Sequence, residues 1–174
     1  MNSKNNMIKT VTFLIVALLF CSFKFSEWEW DKKYKSIINK SITKIFNSYT
    51  YKLEELKNVD DSFYVIKEGG SISGYIAVAN APSKFHQFDY YIIFNKNVDI
   101  LKIEILKYRE NYGAEICSKK WLEKFIKIST NDYVEYNRKV DGISGATISV
   151  NSIKKDVFNL SNILKKSIDE IEKN

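Results

Sequence analysis

Histidine, cysteine and proline are nearly missing from this chain, and each scarcity removes a class of chemistry. There is one histidine, His86, among 174 residues. A single imidazole beside Phe85 supplies no metal-ligand cluster and no nucleophile–histidine–acid set, so His86 reads as a polar surface residue of a loop. The two cysteines are Cys21 and Cys117. Cys21 falls in an apolar N-terminal run, which leaves Cys117 alone in the folded part and excludes an internal disulfide there. A lone cysteine of this kind is expected to be buried rather than reactive. One proline and six glycines argue against long disordered or low-complexity tracts. No internal repeat is visible. No zinc-finger, RNA-binding or basic-zipper signature is visible either, so nucleic acid is not an expected partner.

What remains suits one domain with a terminal segment to spare. Hydrophobic residues make up 45% and aromatics 14%, enough for a real core. The formal net charge is +6, from 27 basic and 21 acidic residues. The basic residues are spread along the chain, which reads as a solvated lysine-rich surface; attraction to anionic lipid or an acidic partner is the functional alternative.

The N-terminus carries the pattern of an export signal or anchor. Lys4 and Lys9 precede the apolar run Thr10 to Phe23. A basic start and a short apolar stretch make a secretory signal. The run is shorter than the roughly 20 residues of a usual membrane helix. Counted from Ile8 to Phe25, with Lys9 and Lys24 snorkelling, it could just span. Leu18-Leu19-Phe20-Cys21 is similar to a lipoprotein signal, but Phe20 is bulky where a small residue belongs, so an uncleaved anchor ranks above lipidation. Phe25, Trp28 and Trp30 suit a membrane interface. A buried helix at the start of the domain is the weaker reading, because the lysines flank the run instead of forming a polar face. The expected location is the cell membrane, with the domain on the extracytoplasmic (periplasmic) side.

Beyond the anchor, Ile38, Ile42, Ile45 and Phe46 share one face of a helix over residues 33–47. Residues 50–57 are ambiguous between helix and loop. The period then changes. Phe63 to Ile66, Ser73 to Ala79, Asp89 to Phe94 and Ile100 to Leu106 read as strands, with turns at Glu68-Gly69-Gly70 and Asn95-Lys96-Asn97. Short links between short strands imply antiparallel pairing. Helical spacing resumes over Ala114 to Ile128, and Ser129 to Val140 reads as a loop. Ile153, Val157, Leu160, Leu164, Ile168 and Ile171 then form one apolar stripe on a long C-terminal helix. The fold class is α+β: an antiparallel sheet of four or more strands, with helices on one face and at the ends.

Just before that last helix lies Asp141-Gly142-Ile143-Ser144-Gly145-Ala146-Thr147-Ile148-Ser149. A helix start leaves backbone N–H groups unpaired and carries partial positive charge, so a phosphate is its natural guest. Gly145 and Ala146 are small enough for close approach, and Thr147 adds a hydroxyl. Ser149 is expected to cap the helix through the N–H of residue 151 or 152. Physics alone leaves an ordinary capped helix as the stronger reading of such a stretch.

The order of residues adds something physics does not. Asp141-Gly142-x-Ser144-Gly145-Ala146-Thr147 resembles the flavinylation motif of the FMN-binding domain family, which includes the flavin-bearing C and G subunits of the sodium-pumping NADH:quinone oxidoreductase and the Rnf complex. In that family the last threonine is esterified to the phosphate of FMN by a separate flavin transferase. The resemblance implies a covalent FMN on Thr147. Leu106 to Gly113 occupies the place of the family's Glu-Thr-Pro-Gly stretch: Glu110 and Gly113 match, Asn111 and Tyr112 depart. Gly74 to Phe94, with Ala81-Pro82-Ser83-Lys84 and Phe88-Asp89-Tyr90, also looks like small membrane-linked members. The likeness covers roughly residues 60–165.

On this reading residues 1–30 are the signal or anchor, 31–58 a helical linker, and 59–174 the FMN-binding domain. The resemblance makes Thr147 the covalent anchor, with Ser144, Gly145, Ala146 and Ser149 near the phosphate. Asp141 is expected to order the loop through backbone bonds or to act when the transferase docks. Glu110, Tyr112 and Gly113 are candidates to border the isoalloxazine ring; for Tyr112 and Trp121 plain packing is as good a reading. Without a nicotinamide-binding fingerprint, an electron carrier exchanging with a membrane redox protein or quinone is favoured over a stand-alone enzyme. A non-redox extracytoplasmic binding module and a small flavin-dependent reductase are the alternatives.

Overall fold

The computed structural model describes residues 32–56, 59, 63–126 and 133–173. The apolar run Thr10 to Phe23 lies outside them, and among the described residues no helix is long and apolar enough to cross a membrane. The chain divides into two compact units, Met1–Lys35 and Ser36–Asn174. Of the first, only residues 32–35 are described, the opening turn of helix α1 (Lys32–Phe46).

The second unit is built on one sheet. Strands β1 (Tyr51–Glu55), β2 (Phe63–Glu68), β3 (Ser71–Pro82), β4 (Gln87–Asn95) and β5 (Ile100–Lys107) form an antiparallel meander in chain order. A short 3-10 turn (Ala114–Cys117), α2 (Lys119–Ile126), α3 (Tyr133–Lys139) and α4 (Thr147–Glu172) follow. The architecture is α+β, with the long C-terminal helix directly after the glycine-containing loop.

Alternation along the strands separates two buried faces. Phe88, Tyr90, Ile92 and Phe94 of β4 are in register with Ala81, Ala79, Ala77 and Tyr75 of β3. That face joins Trp121, Leu122 and Phe125 of α2 and Ile153, Val157 and Leu164 of α4 in the main core. Tyr91 and Ile93 point the other way, beside Val78 and Ile76. α1 covers this second face, with Ile38 and Ile42 fully buried. Ser41 Oγ shares a 2.7 Å hydrogen bond with Tyr91 OH, and Lys102 Nζ donates to Ser41 Oγ at 2.7 Å. Helices therefore lie on both faces rather than on one, because the strands alternate apolar residues to both sides.

Several local expectations change. The ambiguous stretch 50–57 contains a strand, β1, paired with β2 from Tyr51↔Glu68 to Glu55↔Tyr64. The stretch expected as a helical linker thus contributes to the sheet. The helix expected over Ala114 to Ile128 breaks at Ser118, which accepts the amides of Trp121 and Leu122 on its carbonyl and starts α2 afresh. Its hydroxyl oxygen also accepts the Trp121 N–H at 3.3 Å, the job of an N-cap. The polar stretch read as a loop holds helix α3, which has no apolar stripe for a sequence pattern to reveal. Gly69 and Gly70, with φ of +55° and +87°, make the tight β2–β3 turn as expected.

Candidate functional site

The loop before α4 is pinned from beneath. Trp121 Nε1 donates to the carbonyl of Asp141 at 3.0 Å, and Lys124 pairs with the Asp141 carboxylate. The hydrogen bond from Lys124, with its charge, holds that carboxyl below the usual range. Asp141 is therefore tied to α2 through its backbone carbonyl and through an ion pair. Trp121 is a buried packing residue, edge-on to Phe125 with centroids 5.4 Å apart.

The chain then turns tightly. The Ala146 N–H donates to the Ile143 carbonyl at 3.1 Å, and Gly145 takes a φ of +76°. That left-handed angle suits glycine, and a Cβ there would meet nothing nearer than Tyr112 Cδ2 at 4.0 Å. α4 starts at once. Ala146 is its N-cap, no side chain caps it, and the first intrahelical bond runs from Val150 N–H to the Ala146 carbonyl at 2.9 Å. The amides of residues 147–149 precede that bond and lack an intrahelical partner. Ser149 is not the expected cap. It lies inside the first turn, buried, with its hydroxyl 3.1 Å from Tyr108 OH. The turn at 143–146 begins the helix earlier than a serine cap requires.

Around this start lies a cavity of about 180 Å³. Of the residues singled out in the sequence, Glu110, Tyr112, Gly145, Ala146, Thr147 and Ser149 line it. Thr147 is exposed at its side. Asp141, Ser144 and Gly113 are not in the lining. Ser144 is exposed in the turn. Gly113 is buried behind Ala146, where an added Cβ would sit 2.4 Å from the Ala146 Cβ. Its position serves the close packing of residues 110–113 on the helix start.

Glu110 faces two ways. It lines the cavity, and its Oε1 accepts three hydrogen bonds, from Ser83 Oγ at 2.6 Å, Phe85 N–H at 2.8 Å and His86 N–H at 3.1 Å. Those bonds, led by the one from Ser83, hold its carboxyl below the usual range. His86 contributes backbone to this arrangement, and its side chain is exposed in the loop. Next door, Arg109 grips both carboxylate oxygens of Asp89, at 2.6 and 3.1 Å, which fixes the end of β5 against β4.

Sequence reading missed Lys84, Tyr108 and Ile148, which complete the lining. Lys84 sits in a turn 63 positions before Thr147, and only tertiary structure brings them together. Tyr108 is half-buried, and burial raises its phenol pKa. Alternation beyond β5 was a faint signal for it. Cys117 is exposed, against expectation, because its short 3-10 turn lies at the surface. Partial burial still raises its thiol pKa, which disfavours the thiolate.

Residues 86–161 match the family model of the FMN-binding domain. These residues form an FMN-binding domain. The match takes in Glu110, Tyr112, Gly113 and the whole of the loop 141–149. The protein is accordingly a flavin-binding protein. No curated protein matches the chain. The residues present fit FMN at its phosphate end: an uncapped helix start, a small cavity and a threonine hydroxyl lie together.

Proposed function

We propose that this FMN-binding domain holds its flavin covalently, through a phosphate ester on Thr147, and serves as an electron carrier at the outer face of a cell membrane. The observation that carries the reading is the position of Thr147. It is the first residue of an uncapped helix, exposed, in the lining of a cavity, and the last residue of the motif Asp141 to Thr147.

The cavity volume of about 180 Å³ lies below the roughly 300 Å³ at which small-molecule pockets usually begin. It suits a phosphate with part of the ribityl chain and leaves the ring to lie outside, within reach of a partner. FMN supplies the electron-accepting and electron-donating chemistry. The chain's own residues bind and orient. The amides of residues 147–149 offer donors for phosphate oxygens, and the small side chains of Gly145 and Ala146 allow close approach. Attachment exchanges the hydroxyl proton of Thr147 for a phosphoryl group. A separate flavin transferase is the expected catalyst, with a flavin phosphoanhydride as donor: the Thr147 oxygen forms the new O–P bond, the phosphoanhydride bond breaks, and the other phosphate-bearing half leaves with the hydroxyl proton. A covalent link keeps the cofactor without reliance on affinity, which suits a domain exported from the flavin-containing cytoplasm. The basic start and apolar run at residues 4–25 support that location. A membrane redox protein or quinone is the proposed electron partner.

The test is in-gel fluorescence. The full chain is produced with a flavin transferase, denatured and run on a gel. Flavin fluorescence that stays with the band is expected. A dark band beside a control substrate that the same transferase labels would sink the proposal.

A further inference from the structure

The turn at residues 83–86 is tied down on every side. The Pro82 carbonyl at its start accepts a hydrogen bond from Ser152 Oγ on α4. The Ser83 N–H donates to the His86 carbonyl at 2.8 Å, and Ser83 Oγ lies 2.7 Å from the same oxygen. Ser83 Oγ, Phe85 N–H and His86 N–H all converge on Glu110 Oε1. Such a turn presents its remaining residue, Lys84, in a fixed place. That place is the lining of the cavity at Thr147.

The Lys84 ammonium lies over the Phe85 ring, 5.0 Å from its centroid. Among the described residues, no carboxylate is within salt-bridge distance of it. The amides at the start of α4 face the same cavity with partial positive charge. The Glu110 carboxylate is the acidic group in the lining, and its Oε1 is already spent on three donors. Two sources of positive potential, from elements far apart in sequence, therefore meet at one small cavity. A phosphate ester keeps one negative charge, and it matches both.

We infer that Lys84 is the side-chain counter-charge for the phosphate at Thr147, and that Glu110 is the positioning residue that aims it by clamping the turn. The inference rests on the proposed attachment at Thr147. It gives Glu110 a task on the protein side of the site, distinct from bordering the flavin ring. It also makes the phosphate site two-sided, with helix amides on one side and an ammonium on the other.

Site-resolved acylation of lysine amines, read by mass spectrometry on the full chain produced with a flavin transferase, tests this. Lys52, exposed on β1, serves as the internal reference. Lys84 acylation is expected to fall about two- to fivefold in the FMN-bearing protein relative to Thr147→Ala, the range an exposed ion pair supports. Salt at about 1 M should restore it, since screening weakens an ion pair but not steric cover. Glu110→Ala, still bearing FMN, should lose the protection, and Glu110→Gln, which keeps an acceptor oxygen for the turn, should retain it. Equal Lys84 labelling with and without FMN, or protection indifferent to salt, overturns the counter-charge. Protection that survives in Glu110→Ala overturns the positioning role. In each of those cases the FMN mass on the chain leaves the Thr147 reading standing. A wild-type chain without that mass overturns both.

Discussion

Tyr90 joins the sheet to the long helix, its hydroxyl donating to a carboxylate oxygen of Asp156. Tyr90 is fully buried, and burial, with the Asp156 charge next, pushes its phenol well above the ordinary value. Burial likewise raises the Asp156 carboxyl, with the Tyr90 hydrogen bond working against it. Removing the donor leaves a part-buried carboxylate oxygen unsatisfied. Tyr90→Phe is therefore expected to lower stability by about 1–3 kcal/mol in urea unfolding. A loss under about 0.5 kcal/mol would mean that water already satisfies Asp156. This pair was not legible in the sequence. The two residues are 66 positions apart, and each has an ordinary local reading, one in a strand and one on a helix. Lys84, named only within a resembling stretch, was not singled out as a site residue for the same reason. Thr147 was singled out because the motif it ends is written in neighbouring residues, Asp141 to Ala146.

Among the elements, the start of α4 decides the geometry of the site. Its apolar stripe was legible from Ile153 to Ile168, but its first turn was not. Ser149 looked like a cap because serine usually is one before an apolar run. The true start is set by the turn closed between Ala146 and Ile143 and by the packing of Gly113 on Ala146. Gly113 has a φ of +71°, and a methyl group there would collide with Ala146. Gly113→Ala is expected to cost about 1–3 kcal/mol from overpacking. It should also reduce the yield of FMN-bearing chain, since the displaced residue adjoins Thr147. Thermal unfolding with intact-mass analysis reads both, and an unchanged melting temperature would contradict the packing. On the other face, α1 was legible as a helix from Ile38, Ile42 and Ile45, read as packing on the domain or linking it to the membrane; Ile38 and Ile42 are fully buried against the sheet. Ile42→Ala should cost about 2–5 kcal/mol if α1 is a full layer of the fold. A near-zero change would make it an appendage.

For the whole molecule, β4, between β3 and the edge strand β5, is the plank buried on both sides. Tyr90 and Tyr91 face opposite cores, and both phenols are held protonated. For Tyr91, burial comes first and the bond to Glu104 next. Above about pH 10 the unfolded chain ionises its tyrosines while the folded chain keeps these two neutral. The native state then holds more protons, so stability must fall as pH rises through and beyond that value. Alkaline titration should show part of the phenolate absorbance appearing only together with loss of circular dichroism. Full ionisation with the fold intact would show that neither phenol is sheltered. The five-stranded meander with helices on both faces gives the loop at 141–147 a rigid base, through Trp121 below and Ser152 on the 82–86 side. The sheet was legible from strand alternation and two glycine or asparagine turns. The edge strand β1 was not, since Tyr51 to Glu55 buries little and gains its form only by pairing with β2.

One measurement tests the central claim most directly: the intact mass of the full chain produced beside an active flavin transferase. Wild type should gain the mass of one FMN less one water. Ser149→Ala, which loses only the hydroxyl paired with Tyr108, should gain it too, and Thr147→Ala should not. An unmodified wild type, or an adduct that persists in Thr147→Ala, would contradict the account.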